Sequence, residues 1–162
     1  MATDQVFIYT MNRGVQSGAW SRYIFPWTIE HFAHLENTLY MRHGDTVSYA
    51  IEDIHNDDGA AYEGIIQWPW LDFGMPGTNK LLDSLDIVGY GPLGCKLQIG
   101  YDQGDLNAFT AEYDIPADNL NAQIIPLPIT APTMSVKLTF PGLQDWQWNA
   151  LQLYLMDNRT RS

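Results

Sequence analysis

The chain has 162 residues, 46% apolar and 13% aromatic, enough for one substantial domain or two small ones with a real core. Eight Lys and Arg stand against nineteen Asp and Glu, a formal net charge of -11 that opposes any direct grip on nucleic-acid phosphates or anionic membranes. Cys95 is the single cysteine, so no disulfide can form within the chain, which suits a reducing cytosol.

The first residues carry no basic segment followed by a long apolar one, so no signal peptide is expected. No run of 18 apolar residues is present to span a membrane. Helix signals are confined to two short candidates, residues 27–32 and 142–146. Strand signals dominate. Residues 6–10 (VFIYT) are β-branched and aromatic, and residues 20–25 (WSRYIF) alternate up to Pro26. Residues 31–35, 38–43 and 46–52 follow, the last two joined by the turn dipeptide Gly44-Asp45. In that hairpin Leu39, Met41 and His43 are expected to share a face with Val47, Tyr49 and Ile51.

Residues 1–52 look like one propeller blade with the end of another, which cannot bury both of its faces alone. This half is therefore expected either to form a small irregular sheet against the second half, to complete a structure begun on another chain, or to be the C-terminal piece of a longer ancestor. Val6, Ile8, Trp20, Tyr23, Phe25, Leu39, Met41, Val47 and Tyr49 are more large apolar groups than one small sheet hides. Residues 53–61 (DIHNDDGAA) are polar and acidic, and mark a linker.

From residue 62 the pattern is that of an antiparallel β-sandwich. Strands are expected at 65–71, 80–90, 95–102 and 109–115. Residues 123–129 (QIIPLPI) carry prolines that confine them to an edge or an extended arm. Residues 135–140 alternate, with Val136, Leu138 and Phe140 inward and Lys137 and Thr139 outward. Residues 148–156 alternate through Leu151, Leu153 and Leu155, although their Ala, Leu and Gln also suit a helix.

The candidate chemistry is thin. His31 and His34 are three apart and point to opposite faces of a strand, with no third ligand near enough in sequence to suggest a metal. Residues 52–59 (EDIHNDDG) resemble a calcium loop only loosely, because Gly59 comes one place late, and a solvated acidic loop is the simpler reading. Asp102 and Asp105 around Gly104 read as a turn. No carboxylate pair is singled out by spacing, no nucleophile elbow, phosphate loop or dinucleotide fingerprint is present, and no enzyme and no cofactor are expected. The aromatic stretch WPWLDFG is open to two readings: a sugar platform built on Trp68, Trp70 and Tyr90, or a packed seam between sheets or subunits.

An ordered set of segments carries a family resemblance. WSRYIFPW (20–27), FAHLENTLYMRHGDTV (32–47), QWPWLDFGMPG (67–77), LQIGYD (97–102) and PTMSVKLTFPGLQDWQWNALQLYL (132–155) together resemble the C-terminal part of the tail nozzle proteins of short-tailed bacteriophages, also called tail tubular protein B or tail hub proteins. The resemblance implies a structural virion protein in a hexameric ring below the portal and its adaptor. That ring extends the channel through which DNA passes without specific binding, and tail fibres attach near it. It also implies synthesis in the bacterial cytoplasm, no membrane insertion, and a β-propeller whose other blades belong to a longer or separate nozzle chain. Family members are several times longer than this sequence. Within that reading Trp20, Tyr23, Phe25 and Trp27, with Trp68, Trp70 and Phe73, are the candidate interface residues.

Overall fold

The computed structural model describes residues 4–12, 17–25, 27–51, 59, 61–120, 123–142 and 145–157. Strand accounts for 60% of the described residues, and the sheets are antiparallel, so the all-β expectation holds. Among the described residues the one helical element is a single turn of 3-10 helix, Ala117–Leu120. The chain divides into two compact units, Met1–Asp53 and Ile54–Ser162. Of the expected linker, only Gly59 and Ala61 are among the described residues.

The first unit holds two sheets. Strands β1 (Asp4–Asn12) and β2 (Ser17–Phe25) form a nine-residue hairpin in which Tyr9 pairs with Trp20 and Phe7 with Arg22. Strands β3 (His31–Leu35), β4 (Thr38–His43) and β5 (Thr46–Tyr49) form a meander in the order β3-β4-β5. Its turns are tight. Glu36 and Asn37 both have positive φ, 48° and 66°, the pattern of a type I′ turn, while Gly44 alone, at 57°, begins a type II′ turn. Residues 27–30 are not helical and lead directly into β3, and residues 142, 145 and 146 are not helical either. The first helix candidate is thereby corrected, and so is the second over its described residues, with 143 and 144 lying outside them. Each is too short to nucleate alone, and the neighbouring strands take the chain instead.

The hairpin face expected for β4 and β5 is also corrected. A two-residue turn pairs His43 with Thr46, so Met41 pairs with Ser48. Val47 and Tyr49 then lie opposite Arg42 and Tyr40, on the other face from Leu39, Met41 and His43.

The second unit is a sandwich. One sheet runs β10-β7-β12, from β7 (Lys80–Tyr90), β10 (Ile125–Ala131) and β12 (Gln147–Asp157). The other runs β6-β11-β8-β9, from β6 (Gly64–Gln67), β8 (Cys95–Gly100), β9 (Tyr113–Ile115) and β11 (Ser135–Phe140). Leu82, Leu85 and Ile87 of the first sheet meet Leu97, Ile99, Val136 and Leu138 of the second in one continuous core. Burying each such side chain contributes about 1.5–3 kcal/mol. Val136, Leu138 and Phe140 point inward as the alternation requires, and β12 is a strand whose Leu151, Leu153 and Leu155 pack on the same core.

Proline places β10. Pro126 and Pro128 supply no N–H to a ladder, and β10 lies at the edge of its sheet with a register shift between Pro126 and Ile129. The central strand β7 carries a bulge that alternation does not reveal. Both β10 and β12 skip Asp83 in their pairing, so Leu82 and Leu85 both reach the core although they are three positions apart. Lys80, at the start of β7, is 1% exposed and donates from Nζ to the Pro132 carbonyl at 2.6 Å.

Candidate interaction surfaces

Pairing in the β1–β2 hairpin fixes its two faces. Gln5, Phe7, Tyr9 and Met11 share one face with Ile24, Arg22, Trp20 and Gly18. The large apolar members of that face are open: Phe7 is 60% exposed, Tyr9 50%, Met11 60%, Trp20 70% and Ile24 53%. The Tyr9 and Trp20 rings sit 5.0 Å apart, and the Tyr9 phenol lies over Gly18, whose missing side chain makes room for it. No strand pairs with the outer edge of either β1 or β2 among the described residues. A two-stranded ribbon with an exposed aromatic face is marginal in water.

The opposite face is used internally. Tyr23 stacks near Phe25 at 6.3 Å, Phe25 on Trp27 at 4.7 Å, and Trp27 on His43 at 4.1 Å and 9°. His43 in turn shares a 2.9 Å hydrogen bond with Ser48. Phe25 and Met41 are buried. Of the four candidate interface residues in this unit, then, Trp20 and Tyr23 are open, while Phe25 and Trp27 tie the hairpin to the meander. The meander keeps one uncovered face, with Leu35, Val47 and Tyr49 exposed around Tyr40. His31, Ala33, Tyr40 and Arg42 border a shallow trough of about 310 Å³ there.

In the second unit the WPWLDFG stretch splits. Gln67 to Leu71 is four steps, but their partners Lys137 and Met134 are only three apart, so one residue is extra. Trp68 consequently points into the sandwich, where its ring meets Trp148 of the other sheet edge-on at 5.0 Å. Trp70 lies instead on the outer face: a Cβ on Gly100 would be 2.7 Å from its ring. Phe73, at φ 54°, packs on the core, and Asp72 accepts the Gly74 N–H to close the turn. In a regular strand Trp68 and Trp70, two residues apart, would share one face. The extra residue beside Pro69 reverses that, and Pro69 itself was the available signal.

Trp70 is accompanied on its face by Phe109, with centroids 6.2 Å apart. Lys137 Nζ lies 5.7 Å above the Phe109 ring and donates to Gln98 Oε1 at 3.1 Å. Tyr90, the third residue of the sugar-platform reading, pairs with Gln147 on the other sheet and does not join this group.

The remaining polar candidates are structural. Asp102 and Asp105 accept the N–H groups of Gly104 and Asn107, each at 2.9 Å, so both carboxylates cap turns. His31 and His34 lie on opposite faces of β3, and no cluster of three potential metal ligands occurs among the described residues. The calcium-like segment lies outside the described residues except for Gly59. Beside a cleft of about 250 Å³, Cys95 is buried, and desolvation pushes its thiol up to about 11. Lys96 in the same cleft pairs with Glu112 at 2.8 Å; their hydrogen bond raises the lysine pKa and lowers that of the glutamate, at a site exposed to screening.

No protein-family model matches this chain, and no curated protein matches it in sequence. What fold and surface together define is an all-β protein with a closed antiparallel sandwich and open apolar faces on its first unit.

Proposed function

We propose that this chain is a structural virion protein of a short-tailed phage. In this reading it is part of the tail nozzle that extends the DNA channel below the portal and adaptor, assembled as a ring and supporting fibre attachment. The observation that carries the reading is the uncovered aromatic face of the β1–β2 hairpin, which a structural subunit covers with its neighbours. The three-stranded β3-β4-β5 meander adds support, being one strand short of a four-stranded propeller blade, so that a neighbouring nozzle chain completes it. Net charge of -11 agrees with a wall past which DNA slides without sticking. No catalytic step is assigned to the chain. The test is quantitative proteomics of purified phage particles. The chain should be present in tails at a fixed ring stoichiometry relative to the portal, and its absence from intact particles refutes the proposal.

A second reading, a carbohydrate-binding sandwich module, draws on Trp70 and Phe109 beside Lys137 and Gln98 on the outer face. Calorimetric glycan titration that saturates, and is lost in Trp70→Ala, would favour it over the nozzle reading.

A further inference from the structure

We infer that the β1–β2 hairpin is the joint between copies of this chain, with β2 of one copy pairing antiparallel with β1 of the next around a closed ring. The inference rests on the ring reading above and gives that ring a specific seam. Its first ground is the pair of open edges. Each strand is nine residues long, and each has a partner on one side only among the described residues. Long, unblunted edges of this kind pair with other strands. Neither strand contains a proline, and Asp4 and Arg22 are their only charged residues.

Symmetry then selects the arrangement. Rotation about a ring axis keeps every hairpin in the same orientation, so β2 automatically meets the neighbouring β1 antiparallel, with like faces on the same side. Trp20, Arg22 and Ile24 of one copy then stand beside Phe7, Tyr9 and Met11 of the next, as cross-strand pairs on one continuous face. A twofold dimer would join β1 to β1, or β2 to β2, and leave the other edges open. Only ring closure removes every edge.

Charge favours a second copy at this place. The chain as a whole is strongly acidic, so copies repel over most of their surface. Residues 4–25 are the exception, holding Arg13 and Arg22 against Asp4, and the rest of the chain carries all of the excess acid. A joint between two such hairpins brings almost no like charge together, and so avoids the repulsion that acts between the acidic surfaces elsewhere. Size adds a constraint. Nine paired residues make a strip about 30 Å long and one strand, about 5 Å, wide, whose area is well below the roughly 800 Å² per partner of a stable two-body interface. One joint alone is weak, and assembly proceeds from monomer to closed ring with little dimer.

Disulfide trapping between two populations of the full 162-residue chain tests the joint. One population carries single cysteines placed in turn along β1, such as Ile8→Cys, and the other carries them along β2, such as Ser21→Cys. Cys95, buried with its thiol pushed up, leaves little background. Mixed under mild oxidation, the populations should give β1–β2 cross-linked pairs at least tenfold above β1–β1 or β2–β2 pairs. Circular dichroism of each variant excludes the ones that fail to fold, and scanning several positions keeps the test open if one does. Predominant like-with-like pairs would overturn the joint in favour of a twofold dimer, and absence of cross-links at every folded position would overturn it as well. Sedimentation of the unmodified chain separates the two claims: a ring that forms without β1–β2 cross-links refutes the joint and leaves the ring reading standing.

Discussion

Trp68 and Trp148 meet edge-on across the sandwich, ring centroids 5.0 Å apart at 66°, and so tie β6's extension to β12 on the opposite sheet. Aromatic pairs of this kind contribute about 0.5–1.5 kcal/mol beyond the area they bury. Trp148 Nε1 is buried without a hydrogen-bond partner among the described residues, so its polar atom opposes the gain from its ring. Trp148→Phe should therefore cost less than about 1 kcal/mol, whereas Trp148→Ala should cost about 3 kcal/mol. Urea unfolding midpoints of the two variants check this, and equal losses would show that the N–H matters more than the ring.

Tyr154 Oη donates to Asp86 Oδ2 at 2.7 Å, while Asp86 Oδ1, buried, has no partner among the described residues. The hydrogen bond, then desolvation, then the carboxylate charge raise the Tyr154 pKa above the ordinary phenol value. A raised folded-state pKa stabilises the protein below the unfolded value, near ~10, and that contribution is lost as pH rises through the folded value. Thermal midpoints should fall more steeply above pH 10 in the wild type than in Tyr154→Phe. The variant should itself be less stable at pH 7, because Asp86 then loses its one partner. Parallel alkaline curves for the two proteins would contradict the linkage.

Cys95 should resist alkylation in the native state. It is 4% exposed and its thiol is pushed up to about 11, so almost no thiolate is present at pH 8. Mass spectrometry after iodoacetamide treatment should find the native protein unmodified and the urea-unfolded protein modified once. Rapid native labelling would mean that β8 opens locally.

Gly94 has φ 75°, and a Cβ there would strike the Ile115 carbonyl oxygen where β8 begins to pair with β9. Gly94→Ala should destabilise the sandwich by ~2 kcal/mol or more, from backbone strain added to the clash. By contrast Gly44, at φ 57° with open space around it, should lose only the strain when changed to Ala. Denaturant titration of both variants separates the two contributions.

Legibility of the fold in the sequence followed the strength of local signals. The limits of β3, β4, β7 and β11 match their β-branched and alternating runs, and the prolines of β10 put it at an edge. Facing was harder, because a single extra residue reverses it. The two-residue turn at Gly44-Asp45 reversed β5, the bulge at Asp83 brought both Leu82 and Leu85 inward, and the extra residue near Pro69 separated Trp68 from Trp70. Burial of Lys80 depends on a carbonyl 52 residues away, which no local pattern encodes. At the candidate surfaces, sequence marked Trp20 and Tyr23 as large groups in need of cover. The aromatic stack that occupies Phe25 and Trp27 appears only once β2 and β4 are brought together.

The most direct test of the central claim is a cryo-electron microscopy structure of the assembled particle containing this chain, compared with the chain alone. In the assembly, the Phe7, Tyr9, Met11, Trp20 and Ile24 face should be covered by neighbouring chains, within a closed ring. If that face remains in solvent, or is covered wholly by residues 62–162 of the same chain without any neighbour, the reading of this protein as a ring-forming tail subunit is contradicted.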